Sequence, residues 1–200
     1  MTLEGFAALQ TAENALIPEL LESAGVDWLV EMAPLTSPSP ALDIIRHRMM
    51  MDTAGWVWPF QSSADELPFR NDEFPAILIR HLFQPSIPSS VFDEALRCLM
   101  PGGLLISVSA NPWHRAAWKA IGRSALQLPA WPQLVYRCNQ HDLEVQLAGH
   151  QSWRGLIPGL SPILVLVARK PPRSASVSKL KFSDFRGHAG LAQASHCRAA

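Results

Sequence analysis

Two short apolar runs with a helix-spaced segment between them constrain this chain more than any other feature. Ala76 to Ile79 ends at the charged pair Arg80 and His81, and Leu104 to Val108 lies between Gly102-Gly103 and Asn111-Pro112. Each run is long enough for a buried strand and too short for a helix. Between them Val91, Phe92, Ala95, Leu96 and Leu99 recur at helical spacing, with Ser89 or Ser90 placed to cap the start and Pro101-Gly102-Gly103 placed to stop it. A strand, a helix and a strand in that order predict a parallel sheet with a crossover. The whole stretch from Trp58 to Trp113 is organised around that unit.

The flanks extend the pattern. Phe6 to Leu21 has helical spacing with Gly25 after it, and Pro18 is expected to kink or divide the helix. Val26 to Met32 reads as the first strand, Leu42 to Met51 as a strand or strand-helix piece, and Gly55 to Phe60 as the next strand. A helix is expected over Trp113 to Leu126, where Trp113 and Trp118 pack and Asn111 caps. Leu143 to Leu147 and Ile163 to Ala168 read as two closing strands.

A chain of 200 residues, 48% hydrophobic and 17% charged, suits one globular domain with a real core. We place that domain at 1–170, opening with a helical segment at 1–25, and a basic, disordered tail at 171–200. No apolar run approaches the roughly 20 residues that span a bilayer, and the N-terminus shows no signal core, so a cytoplasmic protein is expected. Cys98, Cys138 and Cys197 have no paired or metal-ligand spacing, so neither a disulfide framework nor a metal site is expected, and none is a candidate nucleophile. The net charge of zero hides an asymmetry: seven Lys or Arg and one acid follow position 168, leaving the first 168 residues at −6. The basic tail reads either as an RNA or other polyanion contact or as a solvated appendage without specific binding.

Leu67-Pro68-Phe69, then Phe74 ahead of an apolar strand, then Glu94 to Gly103 (EALRCLMPGG) and an apolar strand ending in Asn111-Pro112 resemble the class I S-adenosylmethionine-dependent methyltransferases. The closest subgroup is methyltransferase type 11, and within it a YafS-like bacterial branch. The resemblance runs from about Leu29 to Lys170 and is specific from Phe60 to Asn111. It implies an α/β fold: a Rossmann-like, doubly wound, mostly parallel sheet with an antiparallel C-terminal hairpin. It implies S-adenosylmethionine as cofactor and methyl transfer to a small-molecule or macromolecular acceptor that the sequence does not name.

The resemblance also assigns residues. Glu31 matches the acid ending the first strand, with Met32 and Ala33 in the turn beyond it. Asp52 stands where an acid holds the ribose hydroxyls, while Ser63 and Ala64 stand where the adenine is received. Arg80 and His81 fall at the carboxyl end of a strand, where open α/β sheets bind ligands. Asn111, His114 and Trp153 are the residues expected in a substrate cleft. For Arg80 and His81 the other reading is a polar end to a buried strand. For Asp52 it is a turn residue, and for Asn111 a helix cap.

The chain departs from the family at defined places. Ala33 and Pro34 replace the glycines that would let backbone approach a ligand at positive φ. Ser63 offers a hydroxyl without charge, and Pro75 enters the fourth strand. Only 32 positions separate Glu31 from Ser63, so the N-terminal half is shortened and one helix is expected to be missing. His81 has the chemistry of a general base, but no partner for it is visible. Two function classes therefore stand side by side, a methyltransferase and a catalytically inactive relative working as an interaction module. A homodimer or protein partner is expected to use Trp56 and Trp58, read as exposed.

Overall fold

The computed structural model describes residues 3–82, 90–146 and 161–172. Helix α1 (Leu3–Ser23) precedes β1 (Trp28–Pro34), β2 (Ile45–Met51), β3 (Trp56–Trp58) and β4 (Phe74–Arg80). Then come α2 (Ser90–Cys98), β5 (Leu99–Ala110), α3 (Arg115–Ile121), a 3-10 segment (Gly122–Gln127), α4 (Trp131–Gln140), β6 (Glu144–Gln146) and β7 (Ile163–Arg169). The strands form one seven-stranded sheet in the order β3-β2-β1-β4-β5-β7-β6. β1, β2, β4 and β5 run parallel, β3 is antiparallel to β2, and β7 is antiparallel to both β5 and β6. This is the mostly parallel sheet with an antiparallel C-terminal pair that the resemblance implies.

Side-chain alternation divides the core between the two faces of the sheet. Leu29, Leu78, Leu104, Ile106 and Val108 face α1, whose Leu9, Ile17 and Leu21 pack on them. Val30, Ile77, Ile79 and Leu105 face α2 and α4 through Val91, Phe92, Ala95, Leu96, Leu134 and Cys138. Each such side chain contributes roughly 1.5–3 kcal/mol by leaving water. Packing of this kind explains why Pro18 does not divide α1, which runs unbroken from Leu3 to Ser23. Ile17 and Leu21 on either side of it are fully buried against the sheet, and that burial outweighs one missing backbone hydrogen bond.

The N-terminal half is shorter than the sequence suggests. Residues 35–44 join β1 to β2 without a helix, and β2 turns directly back into β3, so two helices rather than one are absent. Asp52 makes that turn: its Oδ1 accepts hydrogen bonds from the amides of Ala54 (2.7 Å) and Gly55 (3.2 Å). Gly55 is required there, because at φ +147° a Cβ would lie 2.5 Å from the Ser62 carbonyl oxygen. Trp56 is buried, and only Trp58 of that pair is exposed. Other sequence expectations shift as well. Trp113 to Leu126 divides into α3 and the 3-10 segment, His114 rather than Asn111 supplies the side-chain cap, and Trp113 and Trp118 are exposed.

The Leu-Pro-Phe segment has a physical reason to accompany the helix 27 residues later. Glu94 Oε2 accepts from the Leu67 amide (2.9 Å), while Arg97 donates to the carbonyls of Leu67 (3.0 Å) and Phe69 (2.8 Å). Phe69 packs edge-on against Phe74 with ring centroids 4.8 Å apart. Among the described residues no helix is long and apolar enough to cross a membrane.

Lys170 closes the domain. Its ammonium donates to the carbonyl of Leu96 (2.8 Å) in the last turn of α2, to that of Leu99 (2.6 Å) at the start of β5, and to Asp72 (2.9 Å). Charged donors on otherwise orphaned helix carbonyls are stabilising. Lys170→Met should lower the unfolding free energy in urea by roughly 1–2 kcal/mol, and a change under about 0.5 kcal/mol would show that water replaces the ammonium.

Candidate functional site

The sheet reverses its winding between β1 and β4, and the carboxyl ends of those strands form the edge where open α/β sheets take ligands. Arg80, the last residue of β4, is 1% exposed. A guanidinium buried to that degree needs partners, and it has two carboxylates. Its Nη1 donates to Glu31 Oε1 of β1 at 2.7 Å; its Nε (3.1 Å) and Nη2 donate to Glu13 Oε2 of α1. Both carboxylates are as buried as Arg80.

Glu31 is held from other directions too. Ser39 Oγ donates to its Oε2 at 2.8 Å, and the Nε atoms of Arg46 and Arg48 on β2 stand 3.9 and 3.8 Å from its two oxygens. Those arginines also fasten the helix-free connection, Arg46 to the carbonyl of Pro40 (2.7 Å) and Arg48 to that of Ser37. Position 31 faces Arg48 on one side and Leu78 on the other, so strand register puts the acid in the middle of this group.

His81 follows Arg80 at φ +52°, in the left-handed region, with its amide bonded to the Val108 carbonyl at 2.8 Å. A non-glycine residue there stores strain that its surroundings must offset. The imidazole Nε2 meets Glu13 Oε1, which supplies the partner that the sequence did not reveal. Burial pushes the Glu13 carboxyl up, but the hydrogen bond and charge of His81, followed by the charge and hydrogen bonds of Arg80, outweigh it and hold the group below its ordinary range. Glu13 was missed because it lies 68 positions from His81. Its signal was an acid on the apolar stripe Leu9, Glu13, Ile17, Leu21 of α1.

A cavity of about 140 Å³ opens beside this pair. Its walls include Phe6, Leu9, Ile121 and Leu128 on the apolar side, and Glu13, Arg80, His81 and Ser109 on the polar side. Only the strand at Ser109 borders the cavity: the Ser109 hydroxyl, buried without a hydrogen-bond partner, turns to the other face of β5 with Leu105.

The other residues assigned by the resemblance are placed differently. Met32, Ala33 and Ala64 are core residues. Asp52 holds its own turn, and Ser63 donates to Asp65 on the exposed loop. Asn111 is buried and fully engaged, donating to the Ser161 carbonyl (2.8 Å) and accepting from the Trp113 amide (3.0 Å). His114 Nδ1 accepts from the Ala116 amide, and burial, with Arg115 nearby, holds its pKa down. Trp153 lies outside the described residues. Burial pushes the Cys98 and Cys138 thiols up to about 11, far from nucleophilic. Among the described residues no group of His, Cys, Asp and Glu could hold a metal ion.

No family model matches the chain, and no curated protein matches it. Solved structures do. An S-adenosylmethionine-dependent methyltransferase from Aquifex aeolicus is 10% identical, with 80% of this chain and 92% of that one covered at a TM-score of 0.51. A methyltransferase from Thermotoga maritima is 16% identical over 82% and 89% at 0.44, and the YcgJ protein from Bacillus subtilis is 10% identical over 80% and 99% at 0.49. The chain has the class I S-adenosylmethionine-dependent methyltransferase fold.

That fold implies S-adenosylmethionine, and the donor set tests it. Along the ends of β1 and β2 the residues do not fit it as arranged: Glu31 is held by Arg80 and Ser39, Asp52 by its own turn, and no glycine opens the backbone beyond β1. The cavity walls remain accessible to a ligand.

Removing Arg80 would leave Glu13 to His81 alone and Glu31 to Ser39 and the more distant Arg46 and Arg48. Arg80→Met should cost roughly 3–5 kcal/mol at pH 7. The wild type should lose stability as pH falls below about 4.5, because the folded pKa of Glu13 lies under its ordinary value. Urea midpoints of both proteins at pH 7, and of the wild type on acidification, check the cost and the sign.

Proposed function

We propose that this chain is a methyltransferase-type protein of the type 11, YafS-like branch, whose working site is the α1 cavity and whose methyl acceptor is a small molecule. The observation that supports this is the cavity's position. It opens at the carboxyl ends of β1, β4 and β5, beside the point where the sheet reverses, on a fold shared with S-adenosylmethionine-dependent methyltransferases. The cavity is smaller than the roughly 300–1,000 Å³ that encloses a drug-sized ligand, so it suits a small acceptor rather than a whole nucleoside cofactor. The chain's own contribution would be orientation, with the apolar wall placing the acceptor's body and the Glu13–His81 pair facing its polar group. Arg80 would have to release Glu31 before any ligand reached that carboxylate.

A second reading is a non-catalytic interaction module, motivated by that same Arg80–Glu31 contact and not favoured by the shared fold. A cytoplasmic setting, a homodimer or protein contact through Trp58, and RNA contact by residues 171–200 belong to the proposal as well. Calorimetric titration with S-adenosylmethionine and S-adenosylhomocysteine separates the two readings. The first expects saturable micromolar binding. The absence of both heat and thermal shift at millimolar ligand would overturn it and leave the interaction module.

A further inference from the structure

Helix α3 and the 3-10 segment after it reverse the usual arrangement of a surface helix. The small residues Ala116, Ala117, Ala120 and Ala125 are buried. The large apolar ones face water: Trp113 is 65% exposed, Trp118 41% and Leu126 68%. Single exposed apolar side chains are ordinary, but three between positions 113 and 126 mark a surface built to meet something other than water.

Local geometry gathers them. Arg115, Trp118 and Lys119 share the solvent face of α3 through their spacing of three and four, and Arg123 and Leu126 share a face of the 3-10 segment. The Trp118 indole N–H donates to the Pro112 carbonyl at 2.9 Å, which folds that ring back onto the turn carrying Trp113. The same bond satisfies the only polar group of the ring, so Trp118 can enter an apolar medium without stranding a donor.

Charge selects the medium. No acid occurs between Glu94 and Asp142, whereas Arg115, Lys119 and Arg123 all lie on this exposed stretch. Among the described residues Arg115 and Arg123 form no ion pair with an acid. The first 168 residues carry 10 basic and 16 acidic side chains, so this cationic face is a local exception that would orient the molecule on an anionic surface. A single-stranded nucleic acid would use the cations and the ring faces but has no place for Leu126. The boundary between lipid headgroups and acyl chains takes all of them, with Trp and Leu on its apolar side and Arg and Lys at the phosphates.

We propose that the face formed by Trp113, Arg115, Trp118, Lys119, Arg123 and Leu126 docks this protein on the surface of an anionic lipid bilayer, without spanning it. The docking is independent of the cavity and of any cofactor.

The test is flotation of the full chain with vesicles of phosphatidylcholine alone and of phosphatidylcholine with phosphatidylglycerol at about 3:1, residues 171–200 being present throughout. The anionic vesicles should bind at least about tenfold more protein-affinity than the neutral ones, and added salt should weaken that binding. Bromine on the acyl chains should quench tryptophan fluorescence. Arg115→Glu combined with Arg123→Glu should lower affinity for the anionic vesicles by about tenfold or more. Trp113→Ser combined with Leu126→Ser should lower it by a similar factor and remove most of the quenching. All four side chains are exposed, and circular dichroism checks that the variants fold. The proposal is overturned if the folded wild type does not bind the anionic vesicles, if acyl-chain bromine leaves its fluorescence unchanged, or if both variants bind vesicles as the wild type does. That last result would assign the binding to residues 171–200, and loss of oligouridylate binding in the same variants would then assign the α3 face to nucleic acid.

Discussion

The buried guanidinium of Arg80 is the constraint on which the functional edge of this molecule depends. It joins α1, β1 and β4 through Glu13 and Glu31, and β2 and the connection before it join through Arg46, Arg48 and Ser39. Taking an ion out of water costs several kcal/mol, so such a group persists only with close partners and further hydrogen bonds. Both conditions are met. In an open α/β sheet a helix ordinarily covers each face of a parallel strand pair. Residues 35–44 form none, and side-chain hydrogen bonds and ion pairs take its place over the ends of β1 and β2.

The rest of the domain rests on apolar packing that works independently of that network. β4, α2 and β5 form a conventional crossover, and the segment before β4 is fixed by Glu94 and Arg97 of the same helix. The Glu94 carboxylate and the Arg97 guanidinium are each satisfied within that unit. These bonds tie the Leu-Pro-Phe segment to the EALRCLMPGG run, while the ends of β1 and β2 are held by the separate network around Arg80.

That division also explains what could be read from the amino-acid sequence. The apolar runs before Arg80 and after Gly103, and the closing strand Ile163–Arg169, were legible because strand and helix periodicity is local. The absence of two helices was half legible, from the short interval between Glu31 and Ser63. Trp56 was misread because an irregular segment looks exposed until the bridge between Trp56 and Ser62 folds it inward. Glu13 was not legible as a site residue, since its partners lie 67 and 68 positions away and only the sheet's topology brings them together. Among the described residues named by resemblance, Asp52, Ser63 and Asn111 hydrogen-bond to neighbouring protein groups. Glu31 is the clearest case: it lies inside β1, which continues to Pro34 instead of ending at the acid, and an arginine of the same chain holds it.

An internal arginine on an acid changes what the neighbouring cavity can select. A free buried carboxylate at that edge would favour a cationic ligand through charge, over distances that a low-dielectric wall extends. With Arg80 bonded to both Glu13 and Glu31, opposite charges lie within hydrogen-bonding distance and their fields largely cancel beyond the pair. Discrimination then falls to shape and to individual hydrogen bonds, which act only at contact. The apolar wall of Phe6, Leu9, Ile121 and Leu128 is a feature of that short-range kind. The strained backbone of His81 completes the arrangement. Its left-handed conformation is held on one side by the Val108 carbonyl and on the other by Glu13, so the imidazole is fixed at the cavity wall by the same ion network that closes off Glu31.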